Sequence, residues 1–140
     1  IGDLHFAVDR LGLERIKNAY VWRSLIDQGL IIAGGTDAPV EIGDPRIEFY
    51  AAVTRMDVDG YHGEGWNLDQ KITRFEALKM FTIWPAIASF QEDVKGTIEV
   101  GKLADFSIFD SDLMLAPENQ ILNSKNILTI VGGRIVFQAL

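Results

Sequence analysis

Gly29-Leu30-Ile31-Ile32-Ala33-Gly34-Gly35-Thr36-Asp37-Ala38-Pro39-Val40 is the stretch that decides how this chain is read. Leu30 to Ala33 run apolar without polar alternation, the pattern of a strand covered on both faces, as in a parallel sheet flanked by helices. The run stops at Gly34-Gly35-Thr36 and leaves one carboxylate, Asp37, at its exit. In wound α/β folds ligands gather at the carboxyl ends of the strands, so Asp37 is the first candidate for a site residue.

Upstream, residues 9–28 read as a helix. Asp9 stands at the N-cap position, and Leu11, Leu13, Ile16, Ala19, Tyr20, Trp22, Leu25 and Ile26 form its apolar face, with Gly29 as the stop. Helix, glycine stop, apolar strand and polar exit make one αβ unit. Downstream, Glu41 to Pro45 is turn-rich, Arg46 to Thr54 has the apolar spacing of a short helix, and Asp57 to Asn67 is loop by composition. Thr73-Arg74-Phe75-Glu76 is a capping box that opens a helix expected to run from Arg74 to Phe90, with Pro85 predicting a kink near Thr82 to Pro85.

From Gly96 the period becomes alternating. Gly96 to Val100 and Leu103 to Asp110, separated by Gly101-Lys102, predict a hairpin or two adjacent strands. A second pair is expected at Ile127 to Val131 and Arg134 to Phe137, turning at Gly132-Gly133, where positive φ is tolerated. The organisation is thus an αβ part over residues 1–95 and a small β unit over residues 96–140.

Composition narrows the function classes. The chain has 140 residues, 48% of them hydrophobic, enough to bury a core but no more than one domain. Its net charge is -7, and its 13 Lys and Arg are scattered singly, which leaves neither a basic stripe for nucleic acid nor a polybasic patch for a membrane surface. No apolar run reaches the ~18 residues of a membrane span, no signal-peptide pattern opens the chain, and a cytoplasmic location is the expectation. The absence of cysteine removes disulfides, zinc-thiolate sites and thiol nucleophiles, leaving His5 and His62 as the only imidazoles.

Five elements, in order, resemble the carboxyl-terminal part of a metal-dependent amidohydrolase of the amidohydrolase 3 type. They are Gly35-Thr36-Asp37-Ala38-Pro39-Val40, similar to that family's eighth-strand motif; Ala51-Ala52-Val53-Thr54-Arg55; Thr82-x-x-Pro85-Ala86; Gly96-Thr97-Ile98-x-x-Gly101-Lys102-x-Ala104-Asp105-Phe106-x-Ile108-x-Asp110; and the closing Thr129 to Val136. The resemblance implies an α/β fold: the terminal αβ unit of a (β/α)8 TIM-type barrel plus part of the accompanying β-sandwich. A whole barrel takes about 250 residues, and the family's His-x-His pair, its bridging Lys or Glu and its fifth- and sixth-strand histidines have no counterpart, so the chain reads as a fragment.

The resemblance assigns Asp37 as metal-side ligand and general base in hydrolysis of carbon-nitrogen bonds of a small amide-type substrate, with a divalent metal, zinc by expectation, in the complete enzyme. A divalent cation lowers the pKa of water towards ~7, and a neighbouring carboxylate then relays the proton. The competing reading makes Asp37 a side-chain cap of the turn that follows it. His5 and His62 are expected as loop or surface histidines, Trp22 and Trp84 as core, Trp66 as core or substrate-entrance lining, and Asp105 and Asp110 as turn hydrogen-bonding residues. A zinc site needs at least three protein ligands, so the isolated chain is expected to be inactive and to hold little metal. The alternative function is a non-catalytic module that self-associates, as a homo-oligomer, through surfaces a missing barrel would cover.

Overall fold

The structure is a computed structural model and describes residues 1–62 and 66–139. In chain order a 3₁₀ turn (Gly2–His5) leads into α1 (Ala7–Ile16) and α2 (Trp22–Asp27). An extended connection then reaches α3 (Pro45–Thr54), and a second 3₁₀ turn (Leu68–Gln70) precedes α4 (Arg74–Met80) and α5 (Ile83–Ala88). The last third holds β1 (Phe106–Phe109), α6 (Glu118–Ile121), β2 (Asn126–Val131) and β3 (Arg134–Gln138).

The centre of the molecule is α3. Asp44 caps it, accepting a bond from the Arg46 amide at 3.0 Å, and Pro45 fills its first position, where no amide partner is needed. Phe49 to Thr54 are all buried, so the second half of α3 is enclosed on every side by its neighbours. Phe49, Tyr50, Ala52 and Val53 pack with Ile72, Ala77, Met80, Trp84 and Ile121 into one core, and Trp84 takes its expected place there. The Thr73–Glu76 capping box forms in both directions and opens α4. Thr82 leaves helical geometry (φ -129°, ψ -91°) and separates α4 from α5 where Pro85 predicts the break.

The three strands form an antiparallel sheet in the order β1-β2-β3, with Ser107 opposite Thr129 and Thr129 opposite Phe137. The β2-β3 turn sits on Gly132 and Gly133 (φ 55° and 77°), both in the left-handed region that a two-residue hairpin turn requires. Asp105 and Asp110 act as expected: Asp105 accepts from the Gly132 amide at 2.7 Å and Asp110 from the Lys125 amide at 2.8 Å. On the helical side Arg74 donates to the Leu113 carbonyl (2.6 Å) and Arg46 to the Ser124 carbonyl, which ties α3 and α4 to the connections between strands.

Three elements differ from the sequence expectation. Residues 9–28 are not one helix: Gly12 leaves helical geometry inside α1 (φ 74°, ψ 160°), and Tyr20 turns left-handed (φ 54°) between the end of α1 and the start of α2. Residues 30–36 carry no strand, and Leu30 and Ile31 are 52% and 46% exposed. A strand needs a neighbouring strand to bond with, and among the described residues the long-range backbone bond of this segment goes instead to a helix end, from the Gly34 amide to the Met80 carbonyl at 2.9 Å. Residues 96–105 form turns built on Gly96 and Gly101 (both φ 99°), so only Phe106–Phe109 of the expected first pair is a strand.

Candidate active site

Asp37 stands where the extended segment ends. Gly34 is pinned to the end of α4: a β-carbon there would meet the Met80 side chain at 3.1 Å and the Met80 carbonyl at 3.4 Å, so the first glycine of Gly-Gly-Thr permits the close approach. Asp37 itself is left-handed (φ 51°), a conformation that Asp adopts more readily than most L-residues. Its carbonyl accepts the Val40 amide at 2.8 Å and closes the turn over Ala38 and Pro39, whose peptide bond is cis. The Asp37 side chain is exposed and makes no hydrogen bond or ion pair among the described residues. The turn is therefore held by main chain, and the side-chain cap that would give this carboxylate a purely structural use is not formed.

The two histidines lie elsewhere. His5 Nε2 meets Asp57 Oδ2 at 3.0 Å and its ring stacks on Tyr61 (centroids 5.1 Å apart). Asp57 is buried and also accepts from the amides of Asp59 and Tyr61 at 2.9 Å each, so this pair ties the loop after α3 to the first turn of the chain. His62 follows, its ring stacked beside Tyr61 at 6.4 Å. Among the described residues no three His, Asp or Glu side chains converge as a metal would require. Asp37 offers one hard oxygen donor, and a catalytic zinc takes three protein ligands, so the described residues do not by themselves assemble such a centre.

A cluster that sequence reasoning did not single out surrounds Arg55. This residue is left-handed (φ 58°) and 2% exposed. Its guanidinium carbon lies 4.9 Å from the ring centre of Trp22 and 4.9 Å from that of Trp66, and Nη1 donates to the Tyr20 carbonyl at 2.9 Å. Trp22 thus meets the core on one side and a cation on the other. Burial lowers the Arg55 guanidinium to about 10, which leaves it charged at neutral pH. Tyr20 packs on Trp66 (4.8 Å) and donates its hydroxyl to Asp3; burial and then that bond raise the phenol to about 12. The available signal was a single Arg55 at the end of an apolar helical run.

A cavity of about 890 Å³ separates α3 to α5 from the sheet. Phe49, Phe81, Phe106 and Ile130 line it and Asp37 does not, so it is a gap between layers and distinct from the candidate site.

The amidohydrolase family profile matches residues 2–137. The chain is 32% identical over 136 residues to the putative amidohydrolase YtcJ of Bacillus subtilis, covering 97% of this chain and 26% of that protein. It is 30% identical over 116 residues to the N-substituted formamide deformylase of Arthrobacter pascens, covering 83% of this chain and 21% of that one. Among solved structures, an amidohydrolase from Thermotoga maritima MSB8 superposes with a TM-score of 0.64 at 22% identity, over 86% of this chain and 26% of that one, a likeness of fold. The chain spans about a quarter of the length of each of these proteins. With the profile matched over nearly its whole length, the chain belongs to the amidohydrolase family.

Proposed function

We propose that this chain is the carboxyl-terminal part of a metal-dependent hydrolase acting on carbon-nitrogen bonds of small amide-type molecules, with Asp37 as general base and metal-side ligand. The observation that carries it is the unengaged Asp37 carboxylate, exposed on a turn that is fixed by main-chain bonds and by the Gly34 contact with α4. A carboxylate held at a fixed point with both oxygens free can take a proton from an attacking water and deliver it to a leaving nitrogen without moving. That transfer is the step this chain's own atoms carry. The cation that the family implies, zinc by expectation, belongs with ligands contributed from outside this chain, in the segment that completes the barrel in this reading. The formamide deformylase and the amidohydrolase among the relatives support a substrate with a carbon-nitrogen bond.

The test is a survey of N-substituted formamides, simple amides and N-acyl amines with the protein that carries the rest of the barrel, following release of amine. Hydrolysis of at least one class is expected; an intact protein that releases no amine from any of them contradicts the reading. The 140-residue chain given zinc or manganese is expected to give no turnover.

A second reading has its own support. Val40 and Ile42 are 76% and 82% exposed, and β3 is solvent-exposed along its whole length, including Ile135 and Phe137. Apolar exposure and a sheet edge of this kind favour association with another copy or with the completing segment.

A further inference from the structure

We propose that Arg55 is a carboxylate-recognition group, taking a carboxylate side-on at the Nε edge of its guanidinium between Trp22 and Trp66. The site is separate from Asp37 and does not rest on the catalytic role proposed for it.

A guanidinium carries five N–H donors. Among the described residues one of them is used in Arg55, on the Tyr20 carbonyl, and Nε is buried with no acceptor. A buried donor left unmade costs about 1–3 kcal/mol, and a buried charge without a counter-charge costs more. None of the acidic side chains among the described residues pairs with this cation. The carboxylates joined to the same region are occupied: Asp3 accepts the Tyr20 hydroxyl, and Asp57 accepts His5 and two amides. The backbone is also unusual, since Arg55 and its acceptor Tyr20 are both non-glycine residues in the left-handed region. Strained residues persist where the surroundings hold them, and they concentrate at binding sites.

The ligand class follows from the free groups. The unused edge of the guanidinium presents parallel donors that match the two oxygens of a carboxylate. Flat aromatic walls suit a planar sp² group better than a tetrahedral anion. Trp22 packs against the core and Trp66 is not part of it, so entry displaces Trp66, which makes tryptophan emission the natural readout.

The experiment titrates the 140-residue chain with sodium acetate at constant ionic strength, with sodium chloride and the neutral isostere acetamide as controls. A saturable emission change and a raised Tm with acetate alone are expected. In Arg55→Lys, which keeps the charge but loses the fork, the acetate response should weaken at least tenfold. In Asp37→Asn it should be unchanged, so the failure of one proposal is distinguishable from failure of the other. N-formylglycine binding at least tenfold tighter than acetate would assign the site to a free small acid. Equal affinity would assign it to a carboxylate side chain of another polypeptide segment. No saturable response in the unaltered chain, the same response to acetamide or chloride, or an undiminished response in a folded Arg55→Lys protein would overturn the proposal and leave Arg55 as a structural clamp. The comparison of acetate with acetamide decides even if the variant does not fold.

Discussion

Gly96 and Gly101 share the same backbone angle, φ 99°, and so allow the cost of an added methyl to be divided into its parts. A β-carbon at Gly101 would meet nothing within 4 Å. One at Gly96 would lie 2.8 Å from the Ala86 β-carbon, 3.0 Å from the Ile83 α-carbon and 3.2 Å from the Thr82 carbonyl. The last two are main chain at the start of α5, and they cannot swing away as a long side chain would. Gly101→Ala therefore carries backbone strain alone, about 1–2 kcal/mol for a left-handed L-residue. Gly96→Ala carries the same strain plus overpacking of about 1–3 kcal/mol. Urea unfolding followed by tryptophan emission measures both, and a lower midpoint at unchanged m-value reports lost stability directly. Gly96→Ala is expected to be destabilised by about 1–3 kcal/mol more than Gly101→Ala. Equal losses would refute the packing of residue 96 against α5, and with it the account of why the Gly96 to Asp110 motif opens on glycine.

Other consequences follow from single contacts. Thr73→Ala removes the hydroxyl that accepts the Glu76 amide at 3.2 Å and donates to its carboxylate at 2.7 Å, and should lower stability by about 1 kcal/mol in the same assay. The Arg46 side chain holds the Asp44 carboxyl below its ordinary 3.8, so protons bind the unfolded chain first as pH falls. The stability this gives is complete above the unfolded value and is lost as pH drops through the folded one; Asp44→Asn should flatten the decline of unfolding free energy between about pH 5 and 2. Light scattering on the isolated chain should find dimers or larger species, because Val40, Ile42 and the β3 face leave apolar surface uncovered. A monomer at all concentrations would count against the association reading.

What was legible in the sequence was local. The capping box at Thr73 and Glu76, the two-glycine turn at 132–133, the helix over residues 46–54 and the break before Pro85 depend on residues within a few positions of one another, and all of them form. What was not legible depends on distant partners. Leu30 to Ala33 has a strand's composition, but hydrogen bonding needs a second strand, which the described residues do not place beside it. The long helix expected over residues 9–28 divides at left-handed angles, on Gly12 and again on Tyr20, whose carbonyl is held by Arg55 from 35 residues away. Arg55 closes the Ala51 to Arg55 motif, but its cluster was not legible, because residues 20, 22, 55 and 66 meet only in space. Asp37 was found because its motif is contiguous, and its free side chain is what the structure adds.

The most direct test of the central claim is the turnover of Asp37→Asn in the protein that carries the rest of the barrel. The substitution changes one oxygen to nitrogen on an exposed side chain that has no bond to lose among the described residues, so Tm should stay within the error of measurement while kcat falls about 10²–10⁴-fold. Turnover that persists at the unaltered rate in Asp37→Asn would contradict the account.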